Sequence, residues 1–248
     1  MIILKNQEEI AVMREANRII ALLFQHLEPM IQPGITTEEL DREAELFIRS
    51  HNAVPAFKGY RGFPATLCTS INEEVVHGIP GQRPLRDGDI ASIDVGALYK
   101  GFYSDSARTF AVGSVSSKAQ DLMKATERAL TEGIGQAVPG NHLFDISAAV
   151  QEVVESRGFS VVRDFVGHGI GRSMHEEPQI PNFGKKGTGP LLREGMTLAI
   201  EPMVNAGTWK VLILKDGWTA VTADRSLSAH FEHSIAVTSN GPMILSTL

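Results

Sequence analysis

One segment of the 248-residue chain occurs twice. Leu85-Arg-Asp-Gly-Asp-Ile-Ala-Ser-Ile-Asp94 returns at an offset of 107 as Leu192-Arg-Glu-Gly-Met-Thr-Leu-Ala-Ile-Glu201. Upstream, Pro33-Gly34 and the apolar stripe Leu40, Ala44, Phe47 and Ile48 return at an offset of 106. They reappear as Pro139-Gly140 and Ile146, Val150, Val153 and Val154. Each copy therefore runs helix, helix, a strand ending in a carboxylate, then a returning strand. Such a duplication predicts an α/β (α+β) chain of two pseudo-symmetric halves, with antiparallel strands inside and helices covering one side. No Pro/Gly/Ser-rich linker separates the copies, so a single domain over 1–248 is expected, with halves of about 1–115 and 116–248.

The local signals agree. Ile10, Met13, Ile20, Phe24 and Leu27 form a helical stripe behind Asn6, with Glu9 in the capping-box position. Thr36-Thr-Glu-Glu39 opens a second helix, Ser117-Lys-Ala-Gln120 a third, and the stripe from Ile146 marks a fourth. Strands are expected over 90–98, 102–112, 196–204, 211–214, 218–222 and 231–238. Lys100-Gly101 and Asp216-Gly217 read as hairpin turns.

Charge and cysteine usage narrow the class of function. Lys plus Arg number 23 against 29 Asp plus Glu, a formal charge of −6. That balance excludes a nucleic-acid binder working through bulk charge. No apolar run approaches the ~18 residues of a membrane span, and the start has no signal-peptide pattern. Cys68 is the only cysteine, so nothing calls for an oxidising compartment and a cytoplasmic protein is expected.

The repeat also places charge where a core should be. Asp94 ends an apolar strand and Glu201 occupies the matching position; Asp105 and Glu232 lie in the return strands. With the turn centred on Tyr99-Lys100, Asp94 pairs directly with Asp105; centred on Lys100-Gly101, the two sit diagonally. Either register leaves both on one face. Clustered carboxylates need positive charge between them, and two divalent cations balance four acids. His168, in Gly167-His-Gly-Ile-Gly171, adds a nitrogen ligand. Two Asp, two Glu and one His without thiolates suit a dinuclear site for Co, Mn, Fe or Zn. His77 and His175 lack HExxH spacing, and spacing alone assigns them nothing.

Several stretches together resemble the type I methionine aminopeptidases, a family of pita-bread fold. They are Ser70–Pro80, Asp87–Asp94, Gly167–Gly171, His175–Pro178, Gly195–Met203, and Asp224–Ser228 before Glu232-His233. The resemblance spans about residues 8 to 245 and is closest to the short bacterial type. It implies that Asp94, Asp105, His168, Glu201 and Glu232 are the metal ligands, and that His77 and His175 contact the substrate. It implies a methionine pocket of Tyr60, Phe63, Cys68, His77, Met174 and Trp218, where Phe63 and Met174 replace aromatic residues of some members.

The implied activity is metal-dependent removal of the initiator methionine when the second residue is small. Glu201 would accept a proton from water, and His175 would face the developing oxyanion. The expected partners are N-terminal Met peptides and nascent chains, without a membrane and in a monomeric state; docking on the ribosome is left open. Two rivals are a proline-specific peptidase of the same fold and a metal-free binding module.

Overall fold

The computed structural model describes residues 1–248. Helix α1 spans Gln7–Leu27, α2 Thr37–Ser50, α3 Ser117–Gly135 and α4 Leu143–Glu155. The first two begin with reciprocal capping boxes. Glu9 N–H donates to Asn6 at 2.9 Å while Asn6 N–H donates to Glu9 at 3.0 Å. Thr36 and Glu39 repeat the arrangement at the start of α2. Each box satisfies helix N–H groups that have no carbonyl partner. At α3 the cap is Ser116, one residue before the expected opening. No helix is long and apolar enough to cross a membrane.

The duplication is visible in the packing. Leu23, Leu27, Leu40 and Ile48 of α1 and α2 share a buried core with Ile93 and Val95 of the first-half strands. Leu122, Ile146 and Val150 of α3 and α4 share another with Leu198 and Ile235 of the second half.

Ile90–Tyr99 and Phe102–Ala111 form an unbroken antiparallel hairpin, from Ile90 opposite Ala111 to Tyr99 opposite Phe102. Lys100 and Gly101 both have positive φ, 48° and 80°, which matches the twist of a two-residue hairpin turn. This selects the diagonal register: Asp94 faces Ala107, and Asp105 faces Gly96. The other edge of Ile90–Tyr99 carries Leu67–Ile71, with Cys68 opposite Asp94.

The second half departs from one expectation. The segment expected as a strand over 196–204 breaks at Glu201-Pro202 into Thr197–Ile200 and Met203–Asn205. Proline has no N–H to give to a ladder. Thr197–Ile200 joins a five-stranded sheet with His233–Thr238, Gly241–Ile244, Gly167–Gly169 and Glu176–Ile180, whereas Met203–Asn205 pairs with Ser228–His230 and Ser160–Val161. Glu232 likewise sits just outside a strand.

The halves are stitched where the return strands meet. Glu232 N–H donates to the Ala107 carbonyl at 2.8 Å. Ser106 Oγ donates to the Glu232 carbonyl and Ser234 Oγ to the Asp105 carbonyl, both at 2.7 Å. This seam brings the second acid of each half to one place.

Candidate metal centre and substrate pocket

Asp105, His168 and Glu232 offer ligand atoms within 4.8 Å of one another, all buried. Nε2 of His168 lies 3.7 Å from Asp105 Oδ2 and 3.5 Å from Glu201 Oε1. The Asp94 charge bears directly on Asp105. All four acids are pushed well above the carboxylate range, first by loss of water. For Asp105 and Glu232 the neighbouring carboxylates add to that rise. Glu201 is raised to about 8 by burial.

His168 reaches the acids because its neighbours have no side chains. A Cβ on Gly167 would lie 2.5 Å from the Ala199 carbonyl, and one on Gly169 2.2 Å from that of Glu177. Any larger residue would push these backbones apart.

Beside the acids opens a cavity of about 160 Å³, lined by Tyr60, Phe63, Cys68, His77, Met174, His175 and Trp218 together with Phe57 and Arg61. Every expected pocket residue is therefore at the site. Phe63 and Trp218 meet edge to face at 5.2 Å, and His77 stands edge-on to Phe165 at 5.3 Å. His77 has φ 61°, a left-handed conformation uncommon for a residue with a Cβ. Burial pushes its imidazole down to about 4, reinforced by His230 and His175. The Tyr60 hydroxyl lies 2.9 Å from His175 Nδ1, and the two rings stack. Burial first, then the Arg61 guanidinium, holds His175 below the usual histidine range. The His175 loop is anchored by a buried ion pair between Lys5 and Glu176. Burial also pushes the Cys68 thiol well up, helped by Asp94 and Asp105.

Residues 11–239 match metallopeptidase family M24. The chain belongs to that family. At 56% identity over 248 residues it is similar to the methionine aminopeptidase of Clostridium perfringens, covering 100% of both chains. The solved methionine aminopeptidase of Thermotoga maritima is 46% identical and superimposes with a TM-score of 0.98, over 100% of each chain. The Xaa-Pro dipeptidase of Bacillus anthracis is further away, at 25% identity and a TM-score of 0.79; the match covers 99% of this chain and 62% of that one. The pita-bread fold is thus shown.

The donor set fits the divalent metal that membership of M24 implies. Asp94 Oδ1, Asp105 Oδ1 and Glu232 Oε1 are buried with no hydrogen-bond partner. Protein interiors rarely leave such atoms unmatched without an ion or water to satisfy them. His168 Nδ1 lies 2.8 Å from the Gly169 carbonyl. A carbonyl only accepts, so Nδ1 carries the proton and Nε2 presents a lone pair toward the acids.

The sequence did not single out His230, Phe57 or Arg61. His230 ends the strand Ser228–His230, two residues before Glu232, and no strand joins the two. Phe57 and Arg61 belong to an irregular segment that carries no periodic signal.

Proposed function

We propose that this M24 metallopeptidase is a methionine aminopeptidase of one catalytic unit, residues 1–248. It holds two divalent cations and removes N-terminal methionine when the second residue is small. The observation that carries this is the convergence, in one small cavity walled on one side by aromatic and thioether side chains, of four acids and a lone-pair imidazole contributed by both halves.

Asp94, Asp105, His168, Glu201 and Glu232 would hold the cations. When bound, such cations polarise a carbonyl and lower the pKa of a water molecule. Co, Mn, Fe or Zn suits oxygen donors with one imidazole.

Phe63, Cys68, Met174 and Trp218 receive the methionine side chain, a polarizable thioether that packs well against aromatic edges. Cys68 forms wall and is no nucleophile, since a thiol raised by burial stays protonated. Asp94, opposite Cys68 in the ladder, lies where the free α-amine ends. A buried carboxylate there favours a terminal ammonium and selects the first peptide bond. Glu201 accepts a proton from the attacking water. With Tyr60 donating to His175 Nδ1, the His175 Nε2 carries a proton and donates to the developing oxyanion. Substrates are N-terminal Met peptides and nascent chains, met in the cytoplasm by a monomer, with or without ribosome docking.

The test compares Met-Gly and Ala-Pro peptides before and after removal of metal by a chelator. The expected result is cleavage of Met-Gly that is lost with chelation and recovered with added metal. Preferential cleavage of Ala-Pro, or activity indifferent to the chelator, would overturn the proposal.

A further inference from the structure

His230 belongs to neither the ligand set nor the pocket wall, yet its side chain is built into the centre. It is 2% exposed, and its Nε2 is buried without a hydrogen-bond partner. Oε2 of Glu201 lies 3.6 Å from that nitrogen. The other carboxylate oxygen, Oε1, lies 3.5 Å from Nε2 of His168. Glu201 is therefore bracketed by two imidazoles, one on each oxygen.

The backbone of His230 is fixed independently of Glu201. Its N–H donates to Thr109 Oγ1 at 2.9 Å, and that hydroxyl donates to the His230 carbonyl at 2.8 Å. A first-half side chain thus pins the residue that faces a second-half acid. Glu201 gains little from its own strand, because Pro202 interrupts the ladder beside it. The 3.6 Å separation is a few tenths of an ångström beyond a hydrogen bond, a gap that a small rotation of the carboxylate closes.

We propose that His230 is a positioning residue whose Nε2–H holds Oε2 of Glu201, setting the rotation that presents Oε1 to the cation site beside His168. The proposal rests on Glu201 being a metal ligand. It acts through Glu201 and requires no contact with cation or substrate. A carboxylate with two free oxygens has alternative rotations; one hydrogen bond from behind removes them. Partners of this kind typically change metal affinity by about 10–100-fold.

His230→Leu keeps the volume and removes the donor, whereas His230→Gln places an amide N–H near the Nε2 position. Mn²⁺ affinity is read by calorimetry on the metal-stripped proteins, alongside thermal unfolding and Met-Gly kinetics at saturating Mn²⁺. The expected result is a roughly 10–100-fold loss of Mn²⁺ affinity in His230→Leu, recovery to within a few-fold in His230→Gln, and little change in KM. Wild-type affinity in His230→Leu, or an equal loss in both variants, would overturn the proposal. A measurement independent of any variant's folding is the ¹⁵N NMR signature of the His230 ring in the Zn²⁺-loaded protein. A protonated Nε2 supports the assignment and a bare one overturns it. A wild-type enzyme that cleaves Met-Gly metal-dependently while His230→Leu binds Mn²⁺ normally would sink only the positioning role.

Discussion

The two halves carry an acid at the same place in the repeat but set it in unlike backbone. In the first, Asp94 and Asp105 lie inside one hairpin whose pairing runs without a break from Ile90–Ala111 to Tyr99–Phe102. In the second, Glu201 and Glu232 each sit just past a strand end, and the flanking strands diverge into separate sheets. Ladder register places the first pair of acids. Side chains place the second: His168 and His230 on the Glu201 carboxylate, Asn182 on its carbonyl at 3.2 Å, and the Ser106 hydroxyl on the Glu232 carbonyl. The acids keep their positions in the repeat, whereas the second half surrounds its pair with imidazoles and loops in place of a continuous ladder.

The largest contrast should come from the second half's own histidines. His168→Ala should lose metal. His175→Ala should keep it and lose on the order of 10² to 10³ in kcat, about 2.7–4 kcal/mol, because an oxyanion donor acts chiefly in the transition state. KM should move much less. An unchanged kcat in His175→Ala, or a metal loss equal to that of His168→Ala, defeats the division of labour.

Next is the strut under the His175 loop, where Lys5 of the first half meets Glu176 of the second. Lys5→Ala leaves Glu176 buried without its cation, a change that costs about 3 kcal/mol or more. Calorimetric unfolding should show it, and a wild-type melting temperature would mean the pair is dispensable.

A smaller effect separates the metal-free protein from ordinary acid-sensitive ones. The pKa of the centre's acids is raised on folding, to about 7 at Asp94 and about 8 at Glu201. The buried histidines, His77 and His168 among them, act in the opposite sense only until unfolded imidazoles have titrated near pH ~6.5. Between pH ~4, where unfolded carboxylates titrate, and pH ~8, the centre's acids hold more protons folded than unfolded. Their contribution is fully present below pH ~4 and is lost as the pH rises through the folded values. Raising the pH of stripped protein from about 7 to about 9, beyond the range in which unfolded histidines titrate, should lower Tm by about 2–4 °C for each kcal/mol lost, and added metal should reverse the fall. A Tm that rises over that window would contradict the burial of protonated acids.

The smallest expected effect is at the pocket wall of the first half. Cys68→Ser should retain most turnover with KM raised. Inactivity in a folded, metal-loaded variant would point to a thiol mechanism instead.

Much of this was legible because it depends on neighbours in sequence. The caps at Asn6 and Thr36 need only a residue three positions on, and Lys100-Gly101 settled the diagonal register of Asp94 and Asp105 once its turn geometry was seen. The repeat located Glu201 from Asp94 without a structure. What stayed hidden depends on contacts between distant segments. The Tyr60–His175 hydrogen bond joins residues 115 apart, and Lys5 meets Glu176 across 171. The break at Glu201-Pro202 was visible as a proline but was submerged in an apolar run that favours a continuous strand. His230 carries no sequence signal, because it faces Glu201 only through the fold of two separate sheets.

The central claim is that both halves contribute acids to a centre of two cations, and metal counting tests it directly. Stripped wild-type protein, Asp105→Ala and Glu232→Ala are each titrated with Mn²⁺ in buffers of different ionisation enthalpy. The expected result is two ions per wild-type chain, with protons released on binding because the acids must ionise. Occupancy and Met-Gly cleavage should collapse in parallel in both variants. One ion per chain, or full occupancy in Asp105→Ala, would contradict that claim.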